Sequence, residues 1–111
     1  MSCPPQLVIA PEQRFQVMLD WQNNGTQPYA FDLLLLMKQS TETTYSLVSY
    51  ILDQTLNPNQ TTTTTLFDGW FKKDASKGEY DVAALICDFD PNVGIIAIYD
   101  ALECLRSIKL T

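Results

Sequence analysis

The residues best placed to do chemistry in this 111-residue chain lie in "CDFDPN", Cys87 to Asn92, where Asp88, Asp90 and Asn92 alternate along a strand end and into a turn. Hard oxygen ligands at this spacing can hold Ca²⁺, more so if Asp100 or Asp20 approaches. The glycine-centred loop of a dedicated calcium motif is missing, so an ordinary acidic turn is the preferred reading and no cofactor is expected. The chain contains no histidine. That removes the commonest general base and zinc ligand, and with them Ser-His-Asp and Cys-His sites. There is no Gly-rich phosphate loop and no nucleophile elbow. The 13 acidic residues offer many carboxylate pairs, but nothing marks one pair as buried. A small hydrolase is therefore the third-ranked reading, and the chain is expected not to be an enzyme.

Three cysteines, Cys3, Cys87 and Cys104, occur without a C-x-x-C. An odd count suits free thiols in a reducing compartment, or one disulfide with a spare thiol, and free buried thiols are preferred. A bond between Cys87 and Cys104 is conceivable across a hairpin at a Cα separation of roughly 5.5–6 Å. The alternation places Cys104 inside and Cys87 outside, which argues against it. Asn24-Gly25-Thr26 and Asn59-Gln60-Thr61 match glycosylation sequons and read more simply as turns.

The formal net charge of −6 and the single adjacent basic pair, Lys72-Lys73, argue against nucleic acid and anionic membrane surfaces as partners. "MSCPPQLVIAPEQ" lacks the build of a signal peptide. The longest apolar runs, "LLLLM" and "GIIAIY", are too short to span a bilayer. Cytoplasmic synthesis is expected, with a virion as one destination.

Alternation of apolar and polar residues must position whatever these residues do. In "RFQVMLDWQNNG" the residues Phe15, Val17, Leu19 and Trp21 share one parity, and Asn23-Asn24-Gly25 permits a turn. Gln6–Ala10, between prolines, reads as a short edge strand. Further strands are expected over Tyr29–Gln39, Thr43–Leu52, Thr61–Phe71 and Glu79–Asp90, with turns at Leu56–Gln60 and Pro91–Gly94. "AIYDALECLR" fits helix or strand. A loop or short helix near Ile98–Ala101 followed by a strand over Leu102–Leu110 is preferred. The sum is one all-β domain over residues 1–111, an Ig-like antiparallel β-sandwich of about seven strands, with room for one short helix within 95–104.

"FQVMLDWQNNGTQPYAFDLLLLM" and "GEYDVAALICD" resemble Ig-like sandwich modules of the fibronectin type III and CARDB kind. The resemblance implies a tyrosine corner at Tyr80 and a binding or spacer habit rather than a site. Asn59 replaces the glycine usual in the "LNPNQ" segment, and the tail from Val93 departs from the pattern.

The supposed outer rows carry Leu34, Leu36, Ala83, Leu85 and Cys87, where a monomeric sandwich should show charge. Such rows imply a partner or an extra layer. "VGIIAIY", with Ile95, Ile96 and Ile98, is either the lid over that face or a protein contact. The expected interface is therefore Leu34, Leu36, Leu85, Ile95, Ile96 and Ile98. The function expected is a non-enzymatic, self-associating accessory component of a large assembly, such as a phage or virus-like decoration, cement or tail protein, forming a homo-oligomer or joining a protein partner. The alternative is an extracellular adhesion or carbohydrate-binding sandwich in which Trp70 is the best stacking platform, ahead of Trp21 and Tyr29.

Overall fold

The computed structural model describes residues 3–111 and contains seven strands and no helix among them. These are β1 (Leu7–Ile9), β2 (Phe15–Gln22), β3 (Tyr29–Gln39), β4 (Ser46–Leu56), β5 (Thr61–Gly69), β6 (Gly78–Asp90) and β7 (Gly94–Leu110). They form a five-stranded sheet in the order β1-β7-β6-β3-β4 and a two-stranded sheet, β2-β5. The fold is all-β and sandwich-like.

The alternation in β2 is realised as read. Phe15, Leu19 and Trp21 are buried and Gln16, Met18, Asp20 and Gln22 are exposed. They pack on Phe31, Leu33 and Leu35 of β3 and on Val82, Ala84 and Ile86 of β6, forming one core between the sheets. Trp21 meets Phe31 edge to face at 4.3 Å, and its indole N–H donates to Thr64 Oγ1 at 3.0 Å. The threonine run thus serves as a strand that also satisfies a buried donor. At the other end of the core Phe15 stacks on Phe71, which tilts against Tyr80. The Tyr80 hydroxyl donates to the Ser76 carbonyl, four residues upstream. The Ser49 hydroxyl donates to the Leu66 carbonyl and closes the side of the sandwich where β4 approaches β5.

The structure corrects four expectations. The helix within 95–104 is absent, and Gly94–Leu110 is one 17-residue strand. Ile98, Ala101, Leu102 and Leu105 have helical spacing, but the 13-residue β6 offers a ladder along nearly its whole length, and pairing overrides local preference. The larger sheet is not wholly antiparallel, because β1 pairs parallel to the end of β7, with Leu7 opposite Ile108 and Ile9 opposite Leu110. β4 begins three residues later than read and runs on to Leu56, because β3 supplies partners as far as Tyr29. The cysteines are not all free. Cys3 and Cys104 form a disulfide with Cα atoms 5.6 Å apart, and Cys87 alone is a free, buried thiol. The docking of β1 beside β7 brings Cys3 to Cys104, a contact 101 residues apart that no local pattern encodes.

The larger sheet is bent by β-bulges pinned by carboxylates. Asp53 and Arg106 have positive φ, 57° and 53°, within strands. Each backbone N–H is taken by an aspartate of a neighbouring strand, Asp53 by Asp32 Oδ1 at 2.9 Å and Arg106 by Asp81 Oδ1 at 2.8 Å. Asp32 also accepts from the Phe89 N–H at 2.7 Å, beside the register shift between Asp88 and Phe89. An extra residue leaves an N–H outside the ladder, and a short acceptor on the next strand satisfies it.

Candidate protein-interaction surface

The outer face of the larger sheet is apolar, as read, but its centre is covered by the chain itself. Leu34 pairs with Leu85 on one side and Tyr50 on the other. Leu34, Leu85 and Cys87 are buried together, with Leu36 and Phe89 half-buried around them. Tyr50 packs on Phe89 at 5.2 Å. From the β3–β4 hairpin, Tyr45 reaches across β3 and β6 to donate its hydroxyl to Glu103 at 2.6 Å, with Lys38 Nζ 5.3 Å from its ring centre. Leu34 and Leu85 are therefore not available as contact residues, and Leu36 is only partly so. The remaining expected interface residues are open: Ile95 is 44% exposed, Ile96 66% and Ile98 56%. They do not lie over the sheet as a lid, because they belong to the ladder with β6. Val93, Tyr50, which packs on Phe89, and Tyr99, which packs on Tyr29, are further exposed apolar residues.

Among the described residues β7 has a second strand partner only at Ile108–Leu110. From Gly94 to Glu103 its edge away from β6 meets no strand among the described residues. Among the described residues β2 is likewise paired only with β5. These two open edges face each other across one side of the sandwich. Between them lies a cavity of about 280 Å³ floored by Leu19, Leu35, Leu66, Val82, Ala84 and Leu102, with Cys104 at its rim and Pro4, Pro5 and Leu7 of the disulfide-bonded N-terminal segment along its β7 side. A second depression of about 200 Å³, lined by Trp21, Tyr29, Ile86 and Asp100, continues the groove.

Strand directions sort the charges. All seven cations (Arg14, Lys38, Lys72, Lys73, Lys77, Arg106 and Lys109) fall in the half holding the start of β2 and β6 and the end of β3 and β7. Asp20, Asp32, Asp53, Asp88, Asp90 and Asp100 fall in the other half, which contains no Lys or Arg, while the remaining seven carboxylates offset the seven cations. Ile95, Ile96 and Ile98 sit in that acidic half.

The calcium candidates are engaged in local bonds. Asp88 accepts the Tyr99 hydroxyl, and Asp90 Oδ1 caps the turn by accepting the Asn92 N–H at 2.8 Å. Among the described residues no three His, Cys, Asp or Glu side chains gather as metal ligands. Asp81, which sequence reading passed over, is the most enclosed carboxylate. Burial alone would raise its pKa, but hydrogen bonds from Ser40, the Arg106 N–H and Lys38 outweigh this and bring it down to about 2. The Cys87 thiol is pushed up to about 11, first by burial and then by Asp32 and Asp88. Trp70 is 59% exposed and stands beside a depression of about 310 Å³ lined by Phe15, Met37 and Phe71. Among the described residues no helix is long and apolar enough to cross a membrane.

Comparison of the chain with protein-family models, with curated proteins and with solved structures finds no match.

Proposed function

We propose that this chain is a non-enzymatic protein-interaction domain, a self-associating accessory component of a large assembly such as a phage or virus-like decoration, cement or tail protein. One observation carries the reading: Ile95, Ile96 and Ile98 are exposed on a long strand whose outer edge is unpaired. The kinship with fibronectin type III and CARDB modules belongs to the same reading. It is supported by the bond from Tyr80 to the backbone upstream and by the first strand lying beside the last. Asp81, the most enclosed carboxylate, and Asp32 hold bulges, which gives an acid–base role no support.

Copies would meet with the acidic half of one against the cation-bearing end of the next, because two acidic halves repel. Light scattering after size exclusion tests this. The expected mass exceeds the 12.6 kDa monomer, rises with protein concentration and falls back in Ile98→Lys. A strict monomer at high concentration overturns self-association.

Exposed Trp70 favours a second reading, an extracellular adhesion or carbohydrate-binding sandwich. It predicts glycan-array binding that Trp70→Ala abolishes, and an array without signal ends it.

A further inference from the structure

The groove between β2 and β7 has the features of a site for one more strand. One wall is the edge of β2; the other is the edge of β7 as far as Leu102 and, beside Cys104, the Pro4–Leu7 segment. Apart from its ladder to β5, β2 (Phe15–Gln22) makes no backbone hydrogen bond among the described residues. Gly94–Leu102 of β7 is open away from β6, and Ala101 N–H there turns to the carboxylate of its own neighbour Asp100 at 2.8 Å. The open edge is about 30 Å long at the usual strand rise. Soluble proteins usually guard such an edge with lysine, proline or a covering segment. Gly94–Leu102 contains neither lysine nor proline, and β1 with the disulfide-bonded Cys3–Gln6 segment before it covers the strand only from Glu103 onward. The floor between the walls is apolar, with Leu19, Leu35, Val82 and Leu102 at one depression and Trp21 at the next. An extended chain laid there would bond its backbone to a wall and send every second side chain inward.

The surroundings fix the chemistry of the occupant. Asp100 lines the groove and Asp88 and Asp90 stand on the adjoining strand, in a half of the molecule without a cation. A strand flanked by Lys or Arg gains there, and an acidic one is repelled. The same edge of a second copy is excluded by that repulsion. This chain's own basic segments are also excluded. Lys38, Arg106 and Lys109 are built into ladders, and the loop holding Lys72 and Lys73 is tied down by the Glu12 N–H to Phe71 carbonyl bond.

We infer that the β2–β7 groove accepts an extended, apolar-alternating segment of a partner chain with basic residues at its ends, which completes the open side of the sandwich by strand addition. The inference rests on the proposed interaction role and names the class of partner for it.

The probe is a fluorescent peptide of four valines alternating with three threonines, with two lysines at each end. Fluorescence anisotropy reads its binding to the full chain, and amide exchange reads its location. The expected result is binding that weakens at least tenfold when the lysines become glutamates. It weakens as much when alternate valines are N-methylated, because an N-methyl group removes a backbone donor while keeping the apolar side chain. Amides within Ile95–Leu102 or Phe15–Gln22 should gain protection. Met18→Lys, at an exposed position on the rim, should weaken binding without unfolding the domain. Absence of binding, equal binding of the N-methylated or glutamate peptide, or protection confined elsewhere overturns the inference. Light scattering without peptide separates the two proposals. An oligomer that ignores the peptide removes only the groove, whereas a strict monomer that takes the peptide removes only self-association.

Discussion

Replacing Asp81 with asparagine tests whether buried carboxylates hold the bends of the larger sheet. Asp81 is 4% exposed and accepts three bonds, from Ser40 Oγ at 2.6 Å, the Arg106 N–H at 2.8 Å and Lys38 Nζ at 3.0 Å. A folded pKa of about 2 against the ordinary 3.8 corresponds to about 2 kcal/mol of stabilisation by the ionised form. The asparagine also turns an N–H₂ toward Lys38, whose side chain is 14% exposed. Breaking a well-buried pair costs roughly 3–5 kcal/mol. Lys38 keeps its bond to the Glu42 carbonyl, so a loss of about 2–3 kcal/mol at pH 7 is expected. Urea unfolding of wild type and Asp81→Asn, repeated from pH 7 to pH 2, measures it. Because the folded pKa is depressed, the contribution is whole above the unfolded pKa near 4 and disappears as pH falls toward 2. The gap between the proteins should hold from pH 7 to pH 5 and then narrow. Asp68, also lowered by its exposed pairing with Arg14, is common to both proteins and cancels. A gap that is absent at pH 7, or unchanged down to pH 2, would refute the assignment.

Cys3→Ser releases a cross-link spanning 101 residues and should cost about 4–5 kcal/mol on the chain-entropy scale. A loss below about 1 kcal/mol in non-reducing denaturant melts would count against the bond. In the wild-type protein at pH 8, where Cys104 stays bonded, the Cys87 thiol should resist iodoacetamide until denaturant is added, because it is buried and its pKa lies at about 11. Immediate labelling contradicts that placement. Leu34→Ala should cost about 2–4 kcal/mol although Leu34 faces outward from the sandwich core. A cost within about 0.5 kcal/mol would show that Tyr50, Phe89 and their neighbours do not cover it.

Much of the architecture was legible because period-two alternation survives wherever one face is buried. Tyr29–Gln39 is a strand to the residue, and Phe15 to Trp21 face inward as their parity requires. Features that depend on remote segments were not legible. "AIYDALECLR" has no local reason to be extended, and only the matching length of β6 makes it so. The Cys3–Cys104 bond depends on β1 leaving the β2 side and docking on β7. Of the expected contact residues, Ile95, Ile96 and Ile98 are exposed. Leu34 and Leu85 were misjudged because the covering tyrosine and phenylalanine come from β4 and β6. The positive-φ residues Asp53 and Arg106 left a faint signal at most, an aspartate placed within an otherwise apolar strand.

The confinement of every cation to one half, with six uncompensated aspartates in the other, gives the molecule a permanent electrical axis. A protein so built rotates as it nears a charged surface and arrives with one pole leading, which shortens the angular search before docking. Its capture rate should therefore fall steeply as counter-ions thicken around it, even where the final complex is held mainly by aliphatic contacts.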